Sequence, residues 1–156
     1  MNSNSRNKEQ KYQRLLVQLE ELFQKVDNPL SRMATICAVL HHKNPHFFWT
    51  GFYLISDDNE LEVACYQGPL ACMRLKKDTG VCWSGINSTQ AVIVDDVHSF
   101  PGHIACNPLS KSEIVIPLRN GQKIVGVLDI DSDKLAAFDT TDAEMLTKIV
   151  NLVYEQ

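Results

Sequence analysis

The stretch whose reading decides the fold runs from Glu113 to Ser132, "EIVIPLRNGQKIVGVLDIDS". Two runs rich in isoleucine, valine and leucine flank Asn120-Gly121. An Asn-Gly pair between such runs marks a tight β-hairpin, because both residues tolerate the positive φ that the turn requires. The hairpin places chemistry as well as structure. Asp129 and Asp131 are two residues apart on its second strand and so project from one face. A hairpin turning at "RNG" pairs the start of one strand with the end of the other, which brings Glu113 towards both. Like charges gathered on an apolar strand raise one another's pKa. Such a group can hold a proton for acid work, or bind a cation such as the ammonium of a free amino acid.

Working outward, the polar loop "DDVHSFPGHIACNPLSKS" leads into Glu113 and carries Cys106, with His103 three residues before it. Downstream, "TTDAEMLTKIVNLVYEQ" is predicted helical: Thr141 and Glu144 have capping-box spacing, and Ala143, Leu146, Ile149, Val150 and Val153 form an apolar stripe. Upstream, "FFWTGFYLI" and "LEVACY" flank the turn residues "SDDNE" and read as another hairpin. "QGPLACMRL" reads as a third strand, and "GVCWSGINST" as one short helix before the strand-like "AVIVDDV". Near the N terminus Tyr12, Leu15, Leu16, Leu19, Leu22, Phe23 and Val26 recur at helical spacing. That stripe suits either a homodimer contact or packing on the chain's own sheet. A second helix is predicted after Asn28 as N-cap and Pro29 at the first helical position, with Leu30, Met33, Ile36, Cys37 and Leu40 continuing a second apolar stripe, until "HHKNPH" ends it. Residues 1–8 read as a disordered polar tail and 9–156 as one domain. The expected fold is α/β in the loose, α+β sense: a central antiparallel sheet with helices packed on its faces.

A chain of 156 residues with 44% hydrophobic content suits one domain with a real core. A net charge of −4 and no basic block longer than "RLKK" argue against nucleic acid or anionic lipid as partners. No apolar run is long enough to span a membrane and no signal-peptide region is visible, so a cytoplasmic location is expected. Five cysteines form an odd set, which speaks against a disulfide framework and for transient thiol chemistry.

The cysteines differ in setting. Cys37 falls within a helical apolar stripe, and Cys65 alternates in phase with Leu61 and Val63 on a strand; both read as small core hydrophobes. Cys72, Cys82 and Cys106 lie beside glycine, proline or polar turn residues, where a thiolate can meet solvent and substrate. His103 and Cys106 invite a metal reading, but no CxxC pair or zinc-knuckle spacing accompanies them. No papain-like Cys-His signature is present either.

"WTGFYLI", "GPLACMRL", "TGVC", "DVHSFPGHIAC", "SKSEIVIPL" and "IVGVLDIDS" occur in this order from about Trp49 to Phe138. Together they resemble the free methionine-(R)-sulfoxide reductases, single GAF-domain enzymes. The resemblance implies a GAF-like fold over 9–156 and thiol-dependent reduction of free methionine-(R)-sulfoxide. It implies Cys106 as the nucleophile, Cys72 as the resolving cysteine and Cys82 as an auxiliary thiol. Trp49 and Tyr53 match aromatic positions around the substrate methyl group, while Glu113, Asp129 and Asp131 match carboxylates that bind the ammonium and the sulfoxide oxygen. The chain departs from the family at Trp83, where glycine and threonine usually follow the "GVC" cysteine, and at Asn107, where aspartate is common. His103 is expected only to shape the loop.

The chemistry so implied needs no metal or flavin. The Cys106 thiolate attacks the sulfoxide sulfur, a carboxylic acid protonates the oxygen, and the resulting sulfenic acid condenses with Cys72 to a disulfide that thioredoxin or a similar dithiol reduces. Two other readings share the same features: a GAF module that binds a small ligand without turning it over, and a redox sensor that uses Cys72 and Cys106 as a switch.

Overall fold

The computed structural model describes residues 3–155. Helices α1 (Ser3–Phe23) and α2 (Pro29–Lys43) precede strands β1 (Phe47–Ile55), β2 (Leu61–Gln67) and β3 (Arg74–Leu75). Helix α3 (Gly80–Ser88), strand β4 (Val92–Val94), the hairpin β5 (Ser112–Asn120) and β6 (Lys123–Ser132), and helix α4 (Thr140–Asn151) follow. The strands form one antiparallel sheet in the order β3-β2-β1-β6-β5-β4. The decisive hairpin is there, with Gly121 at a positive φ of 60° in its turn and its strands at the centre of the sheet.

Alternation along the central strands divides the interior into two layers. Phe52, Ile114, Ile116, Leu118, Leu128 and Ile130 face one side and are fully buried against α1, α2 and α4. Trp49, Tyr53, Val115 and Val127 face the other, where Val81, Cys82 and Trp83 of α3 cover them. The first layer is a plain hydrophobic core, each fully buried large side chain stabilising it by roughly 1.5–3 kcal/mol. The second is shallower, and the functional residues sit in it. Tyr12, Leu15, Leu19 and Phe23 of the first stripe join the first layer, so α1 packs on its own chain. Among the described residues, no helix is long and apolar enough to cross a membrane.

Four local expectations are corrected. Helix α1 begins at Ser3, so of the tail read over residues 1–8 only the first two lie outside the described residues. The extra turns are held because Lys8 reaches both Asp139 and Asp142 at 2.7 Å, while Ser5 bonds Thr141 at 3.2 Å. The cap of α4 is Asp139 with Asp142, rather than Thr141 with Glu144: Asp139 accepts from the Thr141 and Asp142 amides, and Asp142 accepts from the Asp139 amide. Cys65 does not share a face with Leu61 and Val63. Phe52 pairs with Cys65 and Tyr53 with Val63, so a bulge at Ala64 turns Cys65 over towards Cys37, 3.9 Å away between sulfurs. Finally, the third strand shrinks to Arg74–Leu75, and the "QGPLAC" part is a loop over the sheet.

Candidate functional site

Register builds the site. Trp49 lies opposite Asp131 and Gly51 opposite Asp129 across β1 and β6; Glu113 lies opposite Asp131 and Val115 opposite Asp129 across β5 and β6. Because residues two apart share a face, Trp49, Tyr53, Glu113, Asp129 and Asp131 all point to the same side of the sheet. They line a pocket roofed by the loops that carry Cys72 and Cys106 and walled by the first turn of α3. Glu113 and Asp129 are 5% and 6% exposed, a rare degree of burial for carboxyl side chains.

That burial sets the charge state. The Glu113 and Asp129 carboxyls are held well above the usual carboxylate range, first by desolvation and then by the neighbouring acidic groups. Asp131 is pushed up to about 6 by burial, against the hydrogen bond it accepts from Ser110 Oγ at 2.5 Å. Burial and mutual repulsion therefore favour protons on Glu113 and Asp129, whereas Asp131, at about 6, is the member that carries negative charge at neutral pH. Among the described residues, two buried side-chain polar atoms lack a hydrogen-bond partner: Asp129 Oδ1 and Trp49 Nε1. Both belong to residues lining this pocket, where a polar ligand would satisfy them.

The aromatic wall is a three-ring stack. Trp49 lies 5.7 Å from Tyr53 and 5.3 Å from Tyr66, at interplanar angles of 28° and 22°. Glycine at position 51 makes this possible, because the indole crosses the backbone there and a Cβ would meet Trp49 Cζ3 and Tyr66 Cβ at 2.7 Å. The Tyr53 hydroxyl donates to the Cys72 carbonyl at 2.8 Å and so ties the upper loop to the sheet.

Cys72 and Cys106 form a disulfide with their Cα atoms 5.4 Å apart. Cys106 borders the pocket. Cys82 is 3% exposed, and its thiol is held well above its ordinary pKa by burial and then by Asp129 and Glu113, so it stays protonated. Trp83, the departure noted in the sequence, is 4% exposed and packs in the second core layer, its indole N–H directed to the Leu75 carbonyl at 3.5 Å. It takes no part in the pocket wall. Asn107 accepts from the Leu109 amide at 2.9 Å, a loop-closing bond that an aspartate would make equally well.

Two side chains carry more than the sequence suggested. His103 lines the pocket with Nδ1 3.9 Å from Glu113 Oε2, and burial lowers its pKa. Ser110 fixes Asp131 across 21 residues of sequence, and no local pattern in "NPLSKSE" announces that contact. For a metal, the geometric candidates are Cys82, Glu113 and Asp129, whose ligand atoms lie within 4.8 Å of one another. The His103 and Cys106 pair is not such a site here, since the Cys106 sulfur is bonded to Cys72.

Comparison with known proteins places this arrangement. The GAF domain family model matches residues 35–153. The free methionine-R-sulfoxide reductase of Escherichia coli is 40% identical over 121 residues, covering 78% of this chain and 73% of that one. The chain belongs to the GAF-domain family of free methionine-R-sulfoxide reductases. GAF domain-containing protein A of Dictyostelium discoideum is 48% identical over 146 residues, 94% of this chain and 92% of its own. A solved family structure, the free methionine-R-sulfoxide reductase of Neisseria meningitidis in complex with its substrate, matches with a TM-score of 0.90 at 40% identity, over 94% of this chain and 88% of that one. The expected GAF fold is thus the observed one.

Proposed function

We propose that this chain reduces free L-methionine-(R)-sulfoxide to methionine as a single GAF domain. The observation that carries the reading is that Cys106 lines the same pocket as Glu113, Asp129 and Asp131. A sulfoxide held there has a nucleophile on one side and acids on the other.

The pocket divides the substrate by chemistry. Ionised Asp131, fixed by Ser110, attracts the ammonium, and the unpartnered Asp129 Oδ1 offers a further acceptor. The Trp49 and Tyr53 faces pack around the methyl group. Glu113 or Asp129, whose protonated forms burial favours, donates to the sulfoxide oxygen. The reduced Cys106 thiolate bonds to the sulfoxide sulfur as the acid protonates the oxygen. The hydroxyl then passes to the Cys106 sulfur while the new S–S bond and the substrate S–O bond break, the electron pair staying on the substrate sulfur, so methionine departs and Cys106 is left as a sulfenic acid. The Cys72 thiol condenses with the sulfenic acid, releasing water and giving the Cys72–Cys106 disulfide. A dithiol of the thioredoxin kind returns two electrons, completing the cycle in a cytoplasmic setting.

Carboxylates beside a thiol disfavour its thiolate. Here burial favours the neutral forms of Glu113 and Asp129, and the substrate ammonium compensates Asp131, which eases the opposition of the cluster to the Cys106 anion once substrate is bound. Cys82 is the auxiliary thiol, and burial keeps it protonated.

The test mixes purified protein with free methionine-(R)-sulfoxide, the S epimer and a peptide-bound form under dithiothreitol, with methionine read by chromatography. Consumption of the free R epimer alone is expected. Cys106→Ser should abolish it, while Cys72→Ser should chiefly slow recycling by thioredoxin. No consumption of the free R form would refute the reading in favour of a ligand-binding or redox-sensing module.

A further inference from the structure

The reductase cycle needs electrons from outside, and the surface around the disulfide has the character of a place where a protein delivers them. Large apolar side chains are seldom left in water in a group beside a reactive bond. Here Leu70 is 84% exposed and Met73 67% exposed, bracketing Cys72, and Leu109 is 59% exposed, three residues beyond Cys106. The disulfide draws the two loops together at a Cα separation of 5.4 Å. At one 3.8 Å step per residue, each of the three lies within about 11 Å of one end of the bond. From Gly68 to Leu75 and from Phe100 to Ser112 the sequence contains no aspartate or glutamate. The one arginine there, Arg74, is turned to Asp58, Glu60 and Glu62. The two loops themselves thus carry no carboxylate that would repel an approaching thiolate, the acidic groups lying below them in the pocket.

The two sulfurs are also not equivalent. Cys106 borders the pocket, whereas Cys72 does not and sits between the two exposed side chains. Exchange proceeds with the entering and leaving sulfurs in line, so a thiolate attacking Cys72 comes from the side away from Cys106 and its pocket. Attack there expels the sulfur that must next meet substrate.

Resting on the reductase reading, we infer that Leu70, Met73 and Leu109 form the apolar seat on which a thioredoxin-class C-x-x-C protein docks, its thiolate attacking Cys72 and releasing Cys106 into the pocket. In the first step the bond between the partner's sulfur and Cys72 forms, the Cys72–Cys106 bond breaks, and Cys106 leaves with the electron pair. In the second, the partner's other thiol loses its proton and attacks its own neighbour in the mixed disulfide. Cys72 leaves as thiolate and takes up a proton. The partner ends oxidised by two electrons and this chain reduced by two.

Dithiothreitol is small and needs no seat, which separates docking from chemistry. Turnover of free methionine-(R)-sulfoxide is measured for wild type, Met73→Glu and Leu109→Glu, with dithiothreitol or with thioredoxin, thioredoxin reductase and NADPH. Both variants should raise the KM for thioredoxin at least tenfold while the dithiothreitol rate stays within twofold of wild type. A thioredoxin whose second active-site cysteine is replaced by serine should be trapped on Cys72, as read by peptide mapping. An unchanged thioredoxin KM, equal loss with both reductants, trapping on Cys106, or a wild type that accepts dithiothreitol but not thioredoxin overturns the docking proposal. A wild type inactive with dithiothreitol instead overturns the reductase reading, and the trapping experiment still decides the docking.

Discussion

At the residue scale, the chemistry depends on which carboxyl keeps its proton. Asp131, pushed up to about 6, must be ionised to hold an ammonium, while the Glu113 and Asp129 pair must stay protonated to act as acid. Turnover per unit substrate should therefore fall below about pH 6 as Asp131 protonates, and fall again once rising pH ionises the pair. A steady-state profile of kcat/KM from pH 4 to 10 checks this, and Asp131→Asn should remove the acid limb while lowering affinity. The group was legible in part, since the two-residue spacing and the hairpin turn placed all three carboxyls on one face. Which of them stays charged was not, because that follows from depth of burial and from Ser110, whose contact with Asp131 spans two loops. Gly51 is similar. In the sequence it is a glycine within an aromatic strand; in the structure it is the gap that Trp49 crosses. Gly51→Ala should displace the indole from its stack, raising KM about tenfold and costing roughly 1–3 kcal/mol in stability, as measured by kinetics and urea unfolding.

At the scale of elements, the strands were better forecast than the ends of the helices. Periodicity identifies an apolar face, but caps depend on single residues and their partners. Thr141 and Glu144 have the right spacing, yet Asp139 and Asp142 close the cap because Asp142 also takes the Tyr12 hydroxyl at 2.7 Å and Lys8 at 2.7 Å from α1. One buried carboxylate thus caps α4 and ties α1 to it. Asp142→Ala should cost about 3 kcal/mol, since it removes the cap and strands a buried hydroxyl and an ammonium. Urea unfolding of the variant, with circular dichroism to follow α1, would show a much smaller loss if α1 were merely resting on the fold. The bulge at Ala64 belongs to this scale too: one extra residue moved Cys65 from the pocket layer to the helix layer, a shift that strict alternation could not anticipate.

At the scale of the whole molecule, the sheet is a divider. One side is packed with aliphatic side chains and three helices; the other keeps its carboxyls beneath two loops that only the Cys72–Cys106 bond joins covalently. Closing a loop across a sequence separation of 34 restricts the unfolded chain, so the oxidised protein should be more stable than the reduced one by about 3–4 kcal/mol on the chain-entropy account. Thermal unfolding with and without dithiothreitol should differ by on the order of 10 °C. Equal midpoints would show that the native state absorbs the constraint elsewhere.

By itself the sequence determined the hairpin, the antiparallel sheet, the family and the set of candidate residues, because these follow from side-chain periodicity, turn chemistry and ordered motifs that are local in the chain. Only the tertiary structure decided that Trp83 is core rather than pocket wall, that Cys82 is a buried protonated thiol, that His103 approaches Glu113, and that α1 reaches back to Ser3. Each of these depends on what lies across the fold, on contacts between segments tens of residues apart and on the desolvation they impose, and no spacing along the chain encodes them directly.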